Sequence, residues 1–361
     1  MSVIIFLLVL FILVLVHEWG HFITAKKTGM RVDEFGIGFP PKLFGIKKGE
    51  TEYTFNALPI GGFVKIFGEN YDEIASSEDS ARGFSSRPKW AQALVLIAGV
   101  TMNILFAWFL FSLTYMIGVQ SLVDESSASP SAQLYVTGVI PDGPAEAVPA
   151  GSLINSIQYE DQELVSPTPS EFSEMVNAAG PNPLSVTYTH DNIEQTVEIT
   201  PIKGLLENDS ERYLVGTSLS MVDVVSKPFF TAIADGFTAT VDGLVAISSG
   251  LYNLVKQAVV GNADFSQVAG PVGIVGMVGD AASFGFTTLL TFTAIISLNL
   301  AVINLLPFPA LDGGRLVFVA IEAMTGRRIP PEWAGRVNLV GFAILMLLMI
   351  AVTYNDIVRL L

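Results

Sequence analysis

Cysteine is absent from all 361 positions, so neither disulfides nor thiolate ligands hold this chain together or bind a metal in it. Charge is scarce too. Asp, Glu, Lys and Arg make up 15% of the residues against 51% hydrophobic, with a mean hydropathy of +0.54. That balance excludes an ordinary soluble enzyme and reads as a membrane protein. Basic residues are the scarcer sign, 19 against 34 acidic, for a net charge of −15. Nucleic acid is therefore excluded as a partner, because phosphate binding requires the opposite charge. Histidine occurs three times, as His17, His21 and His190.

What the chain has in quantity is apolar runs. A helix needs roughly 20 apolar residues to cross the hydrocarbon core. Four stretches reach that scale: about Val3 to Thr24, Ala91 to Gly118, Phe286 to Leu306 and Val337 to Thr353. The first has no basic residue ahead of it and no small-x-small cleavage site, so it reads as a retained span rather than a cleaved signal. Basic residues mark the cytosolic side. They crowd between Lys26 and Lys89 and recur at Arg315, Arg327, Arg328 and Arg336. Both segments are expected in the cytosol, and the acidic segment between the second and third spans, with both termini, on the extracytoplasmic side.

The run from Glu50 to Phe67 alternates and reads as a membrane-associated β-hairpin with a tight turn at Gly61 and Gly62. The stretch from Gly68 to Lys89 reads as a loop. From about Tyr135 to Ile202, strand-like runs, a helical run from Pro169 to Ala179 and Gly/Pro punctuation predict a small α+β domain. Lys227 to Gly261 has apolar residues at helical spacing, interrupted by Gly236, Gly243 and Gly250, and is expected as an amphipathic helix along the outer membrane surface. The glycine-rich Ala269 to Gly279 is expected as a loop dipping into the membrane. The resulting organisation is residues 1–120 and 286–361 as two halves of a membrane core, 133–204 as the inserted domain and 225–285 as the outer-surface helix and loop. The fold class is an α-helical polytopic membrane protein.

The chemistry lies in His17-Glu18-Trp19-Gly20-His21, inside the first span. Two imidazoles four residues apart share one helix face and reach a single ion, with Glu18 beside it. Zinc held by three protein ligands keeps a position for water, and an adjacent carboxylate takes that water's proton. Ionisable groups inside a span cost at least roughly 2.5 kcal/mol near its centre and persist where they pair, line a cavity or work. A third ligand is needed. His190, beside Asp191 and Asn192, reads as a solvated turn residue, which leaves an acidic side chain. Asp312, in NLLPFPALDGG, lies where prolines break the third span, and irregular backbone at membrane depth lines cavities. The first and third spans both run inward, which brings His17, His21 and Asp312 to the same cytosolic depth.

HEWGH together with NLLPFPALDGG resembles the site-2 protease family of intramembrane zinc metalloproteases. The likeness extends to Gly99 to Asn103, to GPVGI at Gly270 to Ile274, and to a single PDZ-like outer domain carrying GPAEA at Gly143 and AGSLI at Ala150. Ser152 and Tyr159-Glu160 depart from the usual pattern of that domain. The resemblance implies zinc on His17, His21 and Asp312, Glu18 as general base, and Asn304 with Pro307, of the NxxP motif, as substrate-binding. It also implies that Gly61 and Gly62 help present a strand edge to the unwound substrate. The implied activity is endoproteolysis of single-span membrane proteins in a bacterial cytoplasmic membrane, with anti-sigma-factor-like or remnant signal peptide substrates. The PDZ-like domain is read as a size filter for trimmed substrates, with capture of a peptide ligand as the alternative. A non-catalytic PDZ adaptor is the competing reading, and it needs a degraded ligand set that this sequence does not have.

Overall fold

The computed structural model describes residues 1–69, 79–141, 143–190, 193–205, 211–261 and 269–360. Parts of two sequence expectations, the loop at 70–78 and the turn at 191–192, lie outside these residues. The chain forms two compact units, Met1–Ile117 with Pro228–Leu361, and Gly118–Lys227.

The first unit is helical. Its long helices are α1 (Ser2–Lys27), α2 (Lys89–Ile117), α4 (Phe229–Val260), α6 (Phe286–Leu305) and α8 (Pro331–Leu360), joined by the shorter α5 (Pro271–Ser283) and α7 (Asp312–Thr325). Among the described residues five helices are long and apolar enough, by length and composition, to cross a membrane, one more than the sequence suggested. The addition is α4. Its glycines do not break it. Gly236 packs on Ser112 and Gly243 on Leu298, and Trp108 Nε1 donates to the Ile233 carbonyl at 2.9 Å, so α4 lies lengthwise against α2 and α6 rather than apart from them. The glycine-rich run expected as a loop is the helix α5. Asp356 of α8 explains it, because its carboxylate accepts from the Gly270 and Gly273 amides at 3.0 and 2.8 Å and satisfies orphan donors at the start of α5.

Between α1 and α2 the chain makes β1 (Val32–Lys48) and β2 (Thr51–Ile66), which turn at Gly49 and Glu50, not at Gly61 and Gly62. Residues 34–37 of β1 sit opposite both 52–55 and 62–65 of β2, while 42–48 pair with 51–56. Two bent strands thus build a sheet four segments wide, and the 62–66 segment forms one edge. Gly61 lies where β2 bends, with φ of 93°, a conformation that L side chains rarely adopt. Glu50 anchors the turn through Lys26 at 2.6 Å and Arg82 at 2.8 Å. Burial pushes its carboxyl up, but the two cations outweigh this and hold it below the usual range.

The second unit is a sheet in the order β3-β9-β4-β5-β7-β8, with β6 paired to β5. The strands are β3 (Val119–Val123), β4 (Gln133–Val139), β5 (Leu153–Tyr159), β6 (Gln162–Val165), β7 (Leu184–His190), β8 (Ile193–Ile199) and β9 (Thr217–Val225). Helix α3 (Pro169–Ala179) matches the predicted run. Thr168 and Glu171 form a capping box ahead of it, and Phe172, Met175, Val176 and Ala179 form its buried stripe. Burial of such a side chain contributes about 1.5–3 kcal/mol. The unit is wider than the 133–204 read from sequence, because β3 and β9 pair from Val119 with Val225 to Val123 with Met221 and close it at both chain ends.

Candidate metal centre and active site

Helix α1 turns His17 and His21 to one face, where both are buried against α2. Gly20 lets the helices close, since a Cβ there would collide with the Ala98 carbonyl. On α2, Val95, Gly99 and Asn103 follow at four-residue steps and form the wall that receives the imidazoles. A Cβ on Gly99 would stand 2.5 Å from His21 Nε2 and 2.7 Å from His17 Cε1, so only glycine leaves room for both rings. The Val95 carbonyl accepts from His21 Nδ1 at 2.8 Å. That bond puts the proton on Nδ1 and the lone pair on Nε2.

Asp312 arrives from the far side. After α6 ends at Leu305 the backbone is irregular through 306–311, and Asp312 opens α7. Gly313 and Gly314 press on the carbonyls of Leu305, Leu306 and Phe308, where any side chain would collide, and this sharp fold sets the carboxylate. Ala310 adopts φ of 70°, and its amide donates to Asn338 Oδ1 of α8 at 3.2 Å. The outcome is a triangle: His17 Nε2 to Asp312 Oδ2 3.0 Å, His21 Nε2 to Asp312 Oδ2 3.2 Å, and His17 Nε2 to His21 Nε2 3.1 Å.

Three electron-rich atoms facing one another at this spacing suit a cation. Ligands about 2.0–2.1 Å from a tetrahedral zinc stand about 3.3 Å apart, close to the observed edges. The surrounding bonds fit as well. Asn103 presents its amide 3.2 Å from His17 Nδ1 through Nδ2, while its Oδ1 is buried without a partner among the described residues. A half-turn of that amide lets Oδ1 accept from Nδ1–H and leaves the lone pair of His17 on Nε2, toward the triangle.

The triangle opens into a cavity of about 330 Å³, whose walls include His17, Glu18, His21, Asn304, Asp312 and Arg315. Phe63, Val64 and Ile66 bring the edge segment of β2 into the same wall. Glu18, half-buried, faces the Val64 backbone amide. Gly62 packs against the Gly36 carbonyl with Glu18 Cγ close by, so it shapes the edge without lining the cavity. Pro307 belongs to the break between α6 and α7 and is not part of the wall. His190 lies in the other unit, at the end of β7, with Nδ1 3.2 Å from Ser152 Oγ. Sequence reasoning missed the supporting roles of Val95 and Asn338, and it left Asn103 without one. The four-residue spacing of Gly99 and Asn103 was the available signal for the last.

A protein-family model described as "Peptidase family M50" matches residues 5–348. A Clostridium perfringens protein named for zinc metalloprotease activity is 38% identical over 360 residues, covering 99% of each chain. A Bacillus subtilis protein named "Regulator of sigma-W protease RasP" is 31% identical over 441 aligned positions, again 99% of both. Among solved structures, a PDZ domain of an SdrC-like protein from Listeria monocytogenes aligns with 26% of this chain and 92% of its own, at 20% identity and a TM-score of 0.21. The family match runs through α1, which carries both imidazoles, and through α7, which begins with Asp312, and the chain belongs to peptidase family M50.

Proposed function

We propose that the protein is an intramembrane zinc endopeptidase in which His17, His21 and Asp312 hold the metal and Glu18 is the general base. The observation that carries this reading is the convergence of the three ligand atoms in a cavity that also contains Glu18 and a strand edge. Bound zinc would supply Lewis acidity toward the scissile carbonyl and acidify a water in the open position. Glu18 takes the proton from that water and delivers it to the leaving amine, so no covalent enzyme intermediate forms. The 62–66 edge of β2, shaped by Gly61 and Gly62, offers hydrogen bonds to a substrate that has given up its helical ones. Asn304, whose side chain shares the cavity wall, binds the substrate backbone beside the cleaved bond, and Pro307 keeps that segment out of helical form.

The substrates in this reading are single-span membrane proteins cut near the cytosolic face of a bacterial cytoplasmic membrane, with anti-sigma-factor-like proteins or remnant signal peptides as classes. The sigma-W name of the Bacillus subtilis relative supports the first. In this reading α1, α2, α6 and α8 cross the membrane, and α4 packs on α2 and α6 without adding a crossing. Both termini and the 118–227 unit therefore face outward, and that PDZ-like unit acts as a size filter that admits trimmed substrates. An adaptor without catalysis is disfavoured by the intact ligand set. The test compares wild-type and Glu18→Gln protein, purified in detergent, on a single-span substrate. Zinc near one equivalent in both, with cleavage in the wild type alone, is expected. Equal cleavage by the variant, or an active preparation without zinc, would overturn the mechanism.

A further inference from the structure

Two cavities meet at one ion pair. The catalytic cavity and a larger one of about 1010 Å³ share Glu69, Ala310 and Arg315 in their walls. Arg315 Nη2 lies 3.2 Å from Glu69 Oε1. Arg315 stands three residues after Asp312, on the same face of α7, and Glu69 stands three residues after the end of the β2 edge. The pair therefore bridges the segment that faces the substrate and the helix that carries the third ligand. Its side chains are 34% and 27% exposed. A partly solvated pair of this kind contributes little stability and is readily exchanged.

Beyond the pair, the larger cavity carries Glu322 and Glu332 alongside Gln92 and Asn338. Lys89 pairs with Glu322. Arg315, the one cation of the wall among the described residues, is paired with Glu69, so the net negative charge of the wall rests on Glu332. Every wall segment comes from the β2-to-α2 connection, the start of α2, the 306–325 region or the approach to and start of α8. These are the parts that the basic-residue bias assigns to the cytosolic side. The same bias governs a single-span substrate, whose cytosolic flank is rich in Lys and Arg. The cavity and the flank thus match in position and in charge.

We propose that the larger cavity is the subsite for substrate residues on the cytosolic side of the scissile bond. In it Glu69 exchanges Arg315 for a substrate Lys or Arg, and Glu332 draws that cation in. The inference rests on the intramembrane protease reading. Full-length protein in detergent is given three single-span substrates that differ only just cytosolic of the cleavage site, where they carry Lys, Gln or Glu. The expected kcat/KM order is Lys over Gln over Glu, with roughly a tenfold spread between the ends that shrinks at high salt. The Glu69→Gln/Glu332→Gln protein should bring the spread toward one, and Glu69→Lys should favour the Glu substrate, with bound zinc measured in each to confirm an intact core. Equal wild-type rates on all three substrates overturn the subsite whatever the variants do. A spread that persists unchanged in the double variant overturns the assignment to Glu69 and Glu332. Failure of zinc-loaded wild type to cut any of them overturns the protease reading itself, a different result from equal cutting.

Discussion

The side-chain amide of Asn103 meets His17 Nδ1 at 3.2 Å, from a helix that shares no sequence neighbourhood with α1. A partner in that position fixes which imidazole nitrogen carries the proton. Substituting Asn103→Ala should weaken zinc binding about ten- to a hundredfold, the usual cost of losing such support. Competition with a zinc chelator measures it directly. Unchanged affinity would show that Val95 and the helix packing orient the imidazoles without help.

Gly99 tests the closeness of α1 and α2. Gly99→Ala places a methyl group 2.5 Å from His21 Nε2. Zinc and activity should both be lost while the protein still extracts and runs as the wild type. Gly276→Ala, in α5, where the new Cβ meets nothing within 4 Å beyond its own helix among the described residues, is the matched control and should behave as wild type.

The edge of β2 has a separable prediction. Gly62→Ala puts a Cβ 2.7 Å from the Gly36 carbonyl and must shift the edge away from its neighbour. Displacement of order 1 Å at a reacting centre can cost about a hundredfold. The expected result is a loss of kcat/KM of roughly tenfold or more with zinc content unchanged. Retained activity would reduce the sheet to a packing element.

Glu50 supplies a pH dependence. Its folded pKa is depressed, so its stabilisation of the hairpin turn is present above the unfolded value of about 4.3 and is lost as pH falls through the lower folded value. Hydrogen exchange of the turn amides in the wild type should therefore stay slow down to about pH 4. Glu50→Gln should exchange fast at neutral pH. Equal protection in both would show that the strand pairing alone holds the turn.

Much of the centre was legible in the sequence because its elements announce themselves chemically. Charged side chains inside an apolar run at four-residue spacing, and a carboxylate between prolines and glycines, have few alternative explanations. The inserted unit was legible through its strand-like runs, the helical run from Pro169 to Ala179 and the Gly/Pro punctuation between them. Failures occurred where a distant partner decides local structure. The α5 segment reads as a loop until Asp356, 86 residues beyond Gly270, caps it. Helix α4 reads as interrupted until Ser112 and Leu298 fill the space its glycines leave. Strand β1 escaped notice because Gly36, Gly38, Gly45 and two prolines mask its period, although those residues are what let it bend and pair twice.

The pairing of β3 with β9 has a consequence for the architecture of the gene. Strands pair about 4.8 Å apart, so the chain leaves the inserted unit within a strand's width of where it enters. A segment with such adjoining ends behaves as a cassette. It can be deleted, duplicated or exchanged with no more than a short splice between Ile117 and Pro228, so the inserted unit can diversify while the helices of the first unit stay fixed.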